Sequence, residues 1–400
     1  MVRRKAPPLY PEYPREEFEW RAERTRRLME EDDLDALMLT QNLHVYYSTG
    51  MQSVSVCRPD HPYPQPTVII TQDDVVLVRR GRPEADSIGV DTSWVENLEY
   101  IGDETDLAAV LKAYGVGRGY RIGTELGPGM RNGLTPFNLG IVRQRVWDEM
   151  SAQIVDGSTT IWKMRAVKSK LEVDRMRRSV AATARAMDQC LDIAEEGMNQ
   201  LDLARKAAVF MLEEGATMVD NMQVYDPPFS GCMALDREIE AGYIGLDLSA
   251  IYKYYISDLY RLALLGREPT EEERKLYDCR AGVNEVLEEA IRPGVSTDEV
   301  VAEMKAYVEE RGCVVGEGAG HGIGLEAHEQ PGLYPAALQP EFRNEEGEII
   351  IEEGMMFALE PSIRLPGLRW GFNCEDNVVV TGSGCENMTS MLSRELRVKS

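Results

Sequence analysis

Four acids and two histidines set the chemical problem in this chain. Asp247 and Asp258 lie inside the run Tyr243-Ile-Gly-Leu-Asp-Leu-Ser-Ala-Ile-Tyr-Lys-Tyr-Tyr-Ile-Ser-Asp-Leu-Tyr-Arg261, which is apolar, aromatic and of high β-propensity. A tight reversal at Tyr252-Lys253 would lay Asp247 directly opposite Asp258 on one sheet face. Two buried carboxylates so placed repel each other, and a cation between them is the natural resolution. Two solvated edge aspartates would suit less hydrophobic flanks than these. Glu360 ends the apolar stretch Met355-Met-Phe-Ala-Leu359, and Glu375 sits within Gly371-Phe-Asn-Cys-Glu-Asp-Asn-Val-Val-Val380. A carboxylate buried in a strand is rare unless it is paired or metal-bound. Of the four histidines (His44, His61, His321, His328), two fall in Gly320-His-Gly-Ile-Gly-Leu-Glu-Ala-His-Glu-Gln-Pro331. Flanking glycines let the backbone approach a site and leave the imidazole room to bind. Taken alone, such a histidine more often serves a loop than a metal.

In this order the residues resemble the pita-bread superfamily of methionine aminopeptidase, aminopeptidase P, prolidase and creatinase. The resemblance implies a ligand set of Asp247, Asp258, His321, Glu360 and Glu375 holding two divalent metal ions. Four carboxylates balance the charge of two such ions. Carboxylate-rich ligation with one imidazole suits Mn, Fe or Co better than Zn. The resemblance further implies a dinuclear hydrolase of the Xaa-Pro peptidase type, in which metal-activated water cleaves a peptide or small-molecule amide C–N bond. Glu360 would also relay the proton, and His328 would bind and polarise the substrate.

The chain departs from the family around this set. Peptidase members carry a further histidine upstream of the first Asp ligand, whereas the stretch from Ser230 to Gly242 has none. Arg364 and Asn373 stand where the family often has Tyr and Arg, and both are expected to contact substrate. Strand alternation puts Asn373 on the same face as Glu375 and Cys374 on the other, as packing. Ser249 and Tyr254 replace glycines usual in the hairpin. Intact ligands in altered surroundings suggest an altered substrate, a dipeptide or another small molecule. One alternative is a metal-dependent lyase resembling dimethylsulfoniopropionate lyase, which also lacks the upstream histidine. That lyase uses an Asp base shortly after its metal histidine, where this chain has Ala327, His328 and Glu329. A second alternative is a non-catalytic pita-bread binding module.

The elements that must position these residues follow from periodicity. Residues 1–157 read as an α/β creatinase/prolidase-like N-terminal domain, with a helix from Glu16 to Glu31 and a strand over 35–40. A hairpin pairs Thr67–Thr71 with Val75–Val78, and a helix from Leu107 to Tyr114 and a strand from Tyr120 to Thr124 follow. Asn42-Leu-His-Val-Tyr-Tyr-Ser-Thr-Gly50 resembles the strand-to-loop signature of the prolidase and creatinase branch. His44 within it would either reach a neighbouring active site in a dimer or serve surface structure. Residues 158–400 read as an α+β pita-bread catalytic domain. Met176, Val180, Ala184, Met187 and Leu191 mark one face of a long helix. Thr270 with Glu273, and Ser296 with Glu299, are capping boxes. Strands are expected at roughly 243–264 and 349–381, with Tyr252, Tyr254, Tyr255 and Tyr260 in sheet packing.

Composition removes other classes of function. The 400 residues carry a formal charge of −24, which argues against nucleic acid or an anionic membrane as a partner. At 43% hydrophobic and 28% charged, the chain reads as globular and not disordered. No run approaches the ~18 consecutive apolar residues of a membrane span, and Met1-Val-Arg-Arg-Lys5 leads into no apolar signal core. The seven cysteines lack paired spacing, so reduced thiols and a cytoplasmic location are the expectations, and the family resemblance implies a homodimer.

Overall fold

A computed structural model describes residues 2–3, 10–52, 66–81, 92–226, 233–366 and 371–399. His61, Cys57, Cys232 and residues 230–232 of the histidine-free stretch lie outside the described residues. The chain forms two compact units, Met1–Met164 and Arg165–Ser400.

The first unit is an α/β domain built on a mixed seven-stranded sheet. Its strands are β1 (Val2–Arg3), β2 (Ala36–Leu39), β3 (Thr67–Thr71), β4 (Val75–Arg80), β5 (Asn97–Ile101), β6 (Arg121–Thr124) and β7 (Gln153–Asp156), in the order β1-β5-β4-β3-β2-β6-β7. Helices α1 (Arg15–Glu31), α2 (Asn42–Thr49), α3 (Leu107–Ala113), α4 (Pro136–Met150) and α5 (Ser158–Ala166) accompany it. Central strands β2 and β3 are buried at every position, and their unbroken Ala-Leu-Met-Leu and Thr-Val-Ile-Ile-Thr sequences reflect this. The expected hairpin is present as β3 and β4, joined antiparallel. The segment expected as a strand-to-loop signature is instead the helix α2, closed by Gly50 at φ 69°. Its Val, Tyr and Thr residues favour strands. Here burial of nearly every side chain and a left-handed glycine cap stabilise the helix over that propensity.

The second unit is α+β. It opens with α6 (Lys170–Ile193) and α7 (Gln200–Glu213), then strands β8 (Met218–Tyr225), β9 (Gly242–Tyr252), β10 (Tyr255–Ile256) and β11 (Leu259–Leu265). Helices α8 (Glu271–Ala290) and α9 (Thr297–Glu310) follow, each starting at the expected capping box, with both reciprocal bonds formed. The remaining strands are β12 (Val314–Val315), β13 (Gly320–Gly322), β14 (Glu329–Leu333), β15 (Met356–Leu359), β16 (Ile363–Arg364), β17 (Asp376–Thr381), β18 (Gly384–Asn387) and β19 (Arg397–Lys399). One sheet runs β10-β9-β11-β19 with β8 also paired to β9, and a second runs β14-β13-β15-β17-β18. An apolar core including Tyr243, Leu262, Tyr277, Val283, Leu287, Phe357 and Phe372 joins α8 and α9 to strands of both sheets. Full burial of a large apolar side chain stabilises the fold by about 1.5–3 kcal/mol.

The β9–β11 hairpin differs from its expected register. Its two-residue turn is Lys253-Tyr254, at φ 47° and 75°, so that Tyr252 pairs with Tyr255. Both positive angles belong to a primed turn, whose twist matches the flanking strands and which asparagine and glycine usually fill. The register places Asp247 opposite Tyr260, not Asp258. Asp258 lies two residues before Tyr260, beside Ser249.

Candidate metal centre

Each ligand candidate is delivered by register. On one sheet, β9 carries Asp247, while Asp258 immediately precedes β11. On the other, His321 of β13 pairs with Ala358 of β15, and Leu359 pairs with Asp376 of β17. That ladder leaves Glu360 and Glu375 at matching positions just past its last pair, on the face of His321. The sheets are clasped beside them. Asn377 Nδ2 donates to the Asp258 carbonyl at 2.7 Å, and the Asp258 amide donates to Asn377 Oδ1 at 3.0 Å. The Glu375 amide donates to the Tyr260 carbonyl at 3.0 Å.

The five side chains converge. Asp247, Asp258 and Glu375 bring carboxylate oxygens within 4.8 Å of one another, and His321, Glu360 and Glu375 form a second such trio sharing Glu375. His321 Nε2 stands 3.7 Å from Glu375 Oε1, 3.8 Å from Glu360 Oε2 and 4.0 Å from Asp258 Oδ2. These separations exceed a hydrogen bond, but they are those of donors sharing an ion at roughly 2.0–2.2 Å from each. The imidazole keeps Nδ1 on the Gly322 carbonyl at 3.0 Å, which turns Nε2 toward the acids. Among the described residues, buried His321 Nε2 and Glu375 Oε1 have no hydrogen-bond partner. Orphaned buried donors of this kind are costly unless something binds them. The donor set therefore fits divalent cations.

Electrostatics point the same way. Burial, then the charge of Glu360, pushes Asp247 up to about 7. Burial and the neighbouring acids likewise push Asp258 and Glu375 well above the carboxylate range. Cations in this space would reverse all three shifts. Three of the acids also have one oxygen held by a neutral donor. Asn221 Nδ2 donates to Asp247 Oδ1 at 2.8 Å, Ser249 Oγ to Asp258 Oδ1 at 3.0 Å, and Asn373 Nδ2 to Glu360 Oε1 at 2.5 Å. Each bond leaves the other oxygen for the site.

The remaining sequence candidates separate. His328 stacks on His321 with ring centroids 3.8 Å apart and an interplanar angle of 9°, and it is otherwise exposed. Burial of its stacked face, then the charge of His321, pushes it down to about 4. The next residue, Glu329, is anchored by Arg165 and Lys168; burial opposes its charge, yet these two cations hold it at about 2. Arg364 is exposed on β16. Cys374 is fully buried. His44 is neither exposed nor aimed outward: it is fully buried, with Nδ1 3.0 Å from Glu125 Oε1.

Asn221, Asn377 and Arg280 were not among the candidates drawn from sequence. A polar residue inside a strand, as in Asp220-Asn221-Met222-Gln223, was the available signal for Asn221. Arg280, in the middle of a charged helix, carries no such mark.

Comparison with known proteins agrees with this geometry. Residues 174–382 match metallopeptidase family M24, and residues 21–167 match the creatinase/prolidase N-terminal domain. The Xaa-Pro dipeptidase of Pyrococcus furiosus is 25% identical over 388 residues, covering 94% of this chain and 99% of that protein. An uncharacterised peptidase of Bacillus subtilis, YqhT, is 24% identical over 375 residues, covering 92% and 97%. In fold, the chain matches an Xaa-Pro dipeptidase from Bacillus anthracis (TM-score 0.77, 23% identity, 95% and 99% covered). It also matches the dipeptidase PepE from Mycobacterium ulcerans (TM-score 0.78, 21% identity, 97% and 100% covered). With the M24 match spanning more than half its length, the chain belongs to metallopeptidase family M24, carrying the creatinase/prolidase N-terminal domain ahead of the pita-bread domain.

Proposed function

We propose that this metallopeptidase is a dinuclear Xaa-Pro dipeptidase, cleaving the C–N bond of a dipeptide or a closely related small amide. The observation that carries the reading is the convergence of Asp247, Asp258, His321, Glu360 and Glu375 with two buried donor atoms left unpartnered. The identity of relatives named Xaa-Pro dipeptidase supports the substrate class.

Asp247, Asp258, His321, Glu360 and Glu375 would together hold two divalent cations, with Mn, Fe or Co preferred. When bound, such cations lower the pKa of water from ~15.7 to around 7 and polarise a carbonyl. Glu360, with 32% of its side chain exposed, accepts and returns the proton. His328, stacked on His321, presents its outer edge to the substrate carbonyl. Arg364 supplies positive charge for a substrate carboxylate, and Asn373 borders the substrate space. The functional unit is a homodimer.

The test is hydrolysis by purified protein loaded with Mn²⁺ or Co²⁺ against Xaa-Pro dipeptides and N-acyl amides. Release of free proline is the expected result. If protein holding two metal equivalents cleaves neither class, hydrolysis is the wrong reaction, and a headspace assay for dimethyl sulfide would then identify a lyase.

A further inference from the structure

A fully buried arginine lies behind the metal centre and, among the described residues, has no carboxylate bonded to it. Arg280 of α8 is 0% exposed. Its Nη1 donates to Asn284 Oδ1 at 2.8 Å. Its Nη2 donates to the Cys374 carbonyl, to Asn373 Oδ1 at 3.0 Å and to the Leu359 carbonyl at 3.4 Å. All of its described acceptors are neutral. A guanidinium is costly to bury in this way, so its retention calls for a role.

The acceptors identify that role. Leu359 and Cys374 are the residues immediately before Glu360 and Glu375, and Asn373 is bonded to Glu360 itself. One rigid fork therefore grips the strand ends that deliver both glutamates. It also helps to hold the orientation of the Asn373 amide, whose oxygen accepts from the guanidinium at 3.0 Å and from the Cys374 backbone amide at 2.8 Å while its NH₂ faces Glu360. Without the fork, only the Cys374 amide would keep the Asn373 oxygen turned away from the carboxylate. A lysine in place of Arg280 would supply charge but not the planar fork.

We propose that Arg280 is a positioning residue for the metal trio of His321, Glu360 and Glu375, acting through Asn373 to commit Glu360 Oε1 to a hydrogen bond and Oε2 to the cation. The trio of Asp247, Asp258 and Glu375 shares only the grip beside Glu375, since the donors to its two aspartates are Asn221 and Ser249. The relay thus makes the two cation positions unequal. This rests on the dinuclear reading above.

Calorimetric titration with Mn²⁺ alone tests it, using metal-stripped wild type, Asn373→Ala, Arg280→Met and the double variant, with circular dichroism confirming each fold. Wild type is expected to bind two equivalents. Each single variant is expected to weaken one of the two binding events by about 10- to 100-fold and leave the other within a factor of two or so. The double variant is expected to be no weaker than the worse single, because both changes cut one relay. Wild-type affinity in either single variant, equal weakening of both events, or additive losses in the double would overturn the relay. Should Arg280→Met not fold, Arg280→Lys is read in its place. If wild type itself binds no Mn²⁺, the dinuclear reading fails first, and the relay with it.

Discussion

The molecule buries a histidine beside glutamate twice, to opposite effect. In the N-terminal unit, Glu125 is saturated. It accepts from the Thr40 amide and hydroxyl, the Gln41 amide, the Thr124 hydroxyl and Asn132, and it meets His44 Nδ1. Burial alone would raise its pKa, yet the hydrogen bond and charge of His44, with the two amides, hold it below the ordinary range. In the catalytic unit, Glu375 is equally buried but has an unpartnered oxygen, and its pKa is driven well up. The adjacent Asp376 repeats the contrast one residue away. Burial opposes its charge too, but Arg261, Arg394 and Asn284 bring it to about 2. A buried acid alone therefore marks nothing. The ones built for a cation are those the protein leaves unsatisfied.

This contrast can be broken most forcefully at the metal centre. Glu375→Gln or His321→Ala is expected to lower kcat/KM by about 10³-fold or more, since a lost ligand removes several kcal/mol of transition-state stabilisation. The metal-free Glu375→Gln form should melt at or above the metal-free wild type, because repulsion among the acids is relieved. A variant that retained most activity would sink the ligand assignment.

Glu125→Gln should do the reverse. Replacing an acceptor with an amide donor leaves Thr40 and Gln41 donors facing it, for a loss of about 2–3 kcal/mol in stability. Metal content measured by elemental analysis should stay at the wild-type value. Loss of metal without loss of stability would show that this cluster is not structural.

The smallest expected effect is in pH dependence. Asp247 rises from 3.8 to about 7 on folding, so the metal-free folded chain binds more protons than the unfolded one across that interval. Stability without metal should thus fall as pH rises from about 4 to 7, and Asp247→Asn should flatten the fall. Glu125 is shifted the other way: its contribution is complete above the usual glutamate pKa and is lost as pH drops below it. Melts of chelator-treated protein from about pH 2 to 8 would check both slopes. With metal bound the neutral-side slope should reverse, because ligands must be deprotonated to bind.

How much of this was legible in the sequence depended on whether the signal was local. Apolar runs around Asp247, Asp258, Glu360 and Glu375 marked buried acids, and the capping boxes at Thr270 and Ser296 opened helices as expected. The hairpin register was not legible, because Tyr252-Lys-Tyr-Tyr255 contains neither glycine nor asparagine to mark its turn. Helix α2 was misread because tertiary burial outweighed its strand-forming residues. Arg280 was invisible because its partners, Leu359, Asn373 and Cys374, lie at least 79 positions away along the chain.

The Asn377 clasp has a consequence for how the protein is made. Asp258 relies on Asn377 for both of its backbone hydrogen bonds to the opposite sheet, and Arg261 relies on Asp376 for its carboxylate partner. During synthesis the first two acids leave the ribosome long before residues 375–377 exist. A growing chain therefore offers passing ions only a loose, unclasped pair of aspartates. The cation pocket closes late, when the strand that completes the ligand set also locks the earlier hairpin in register. A complete ligand set can therefore exist only once residues 375–377 have joined the earlier hairpin.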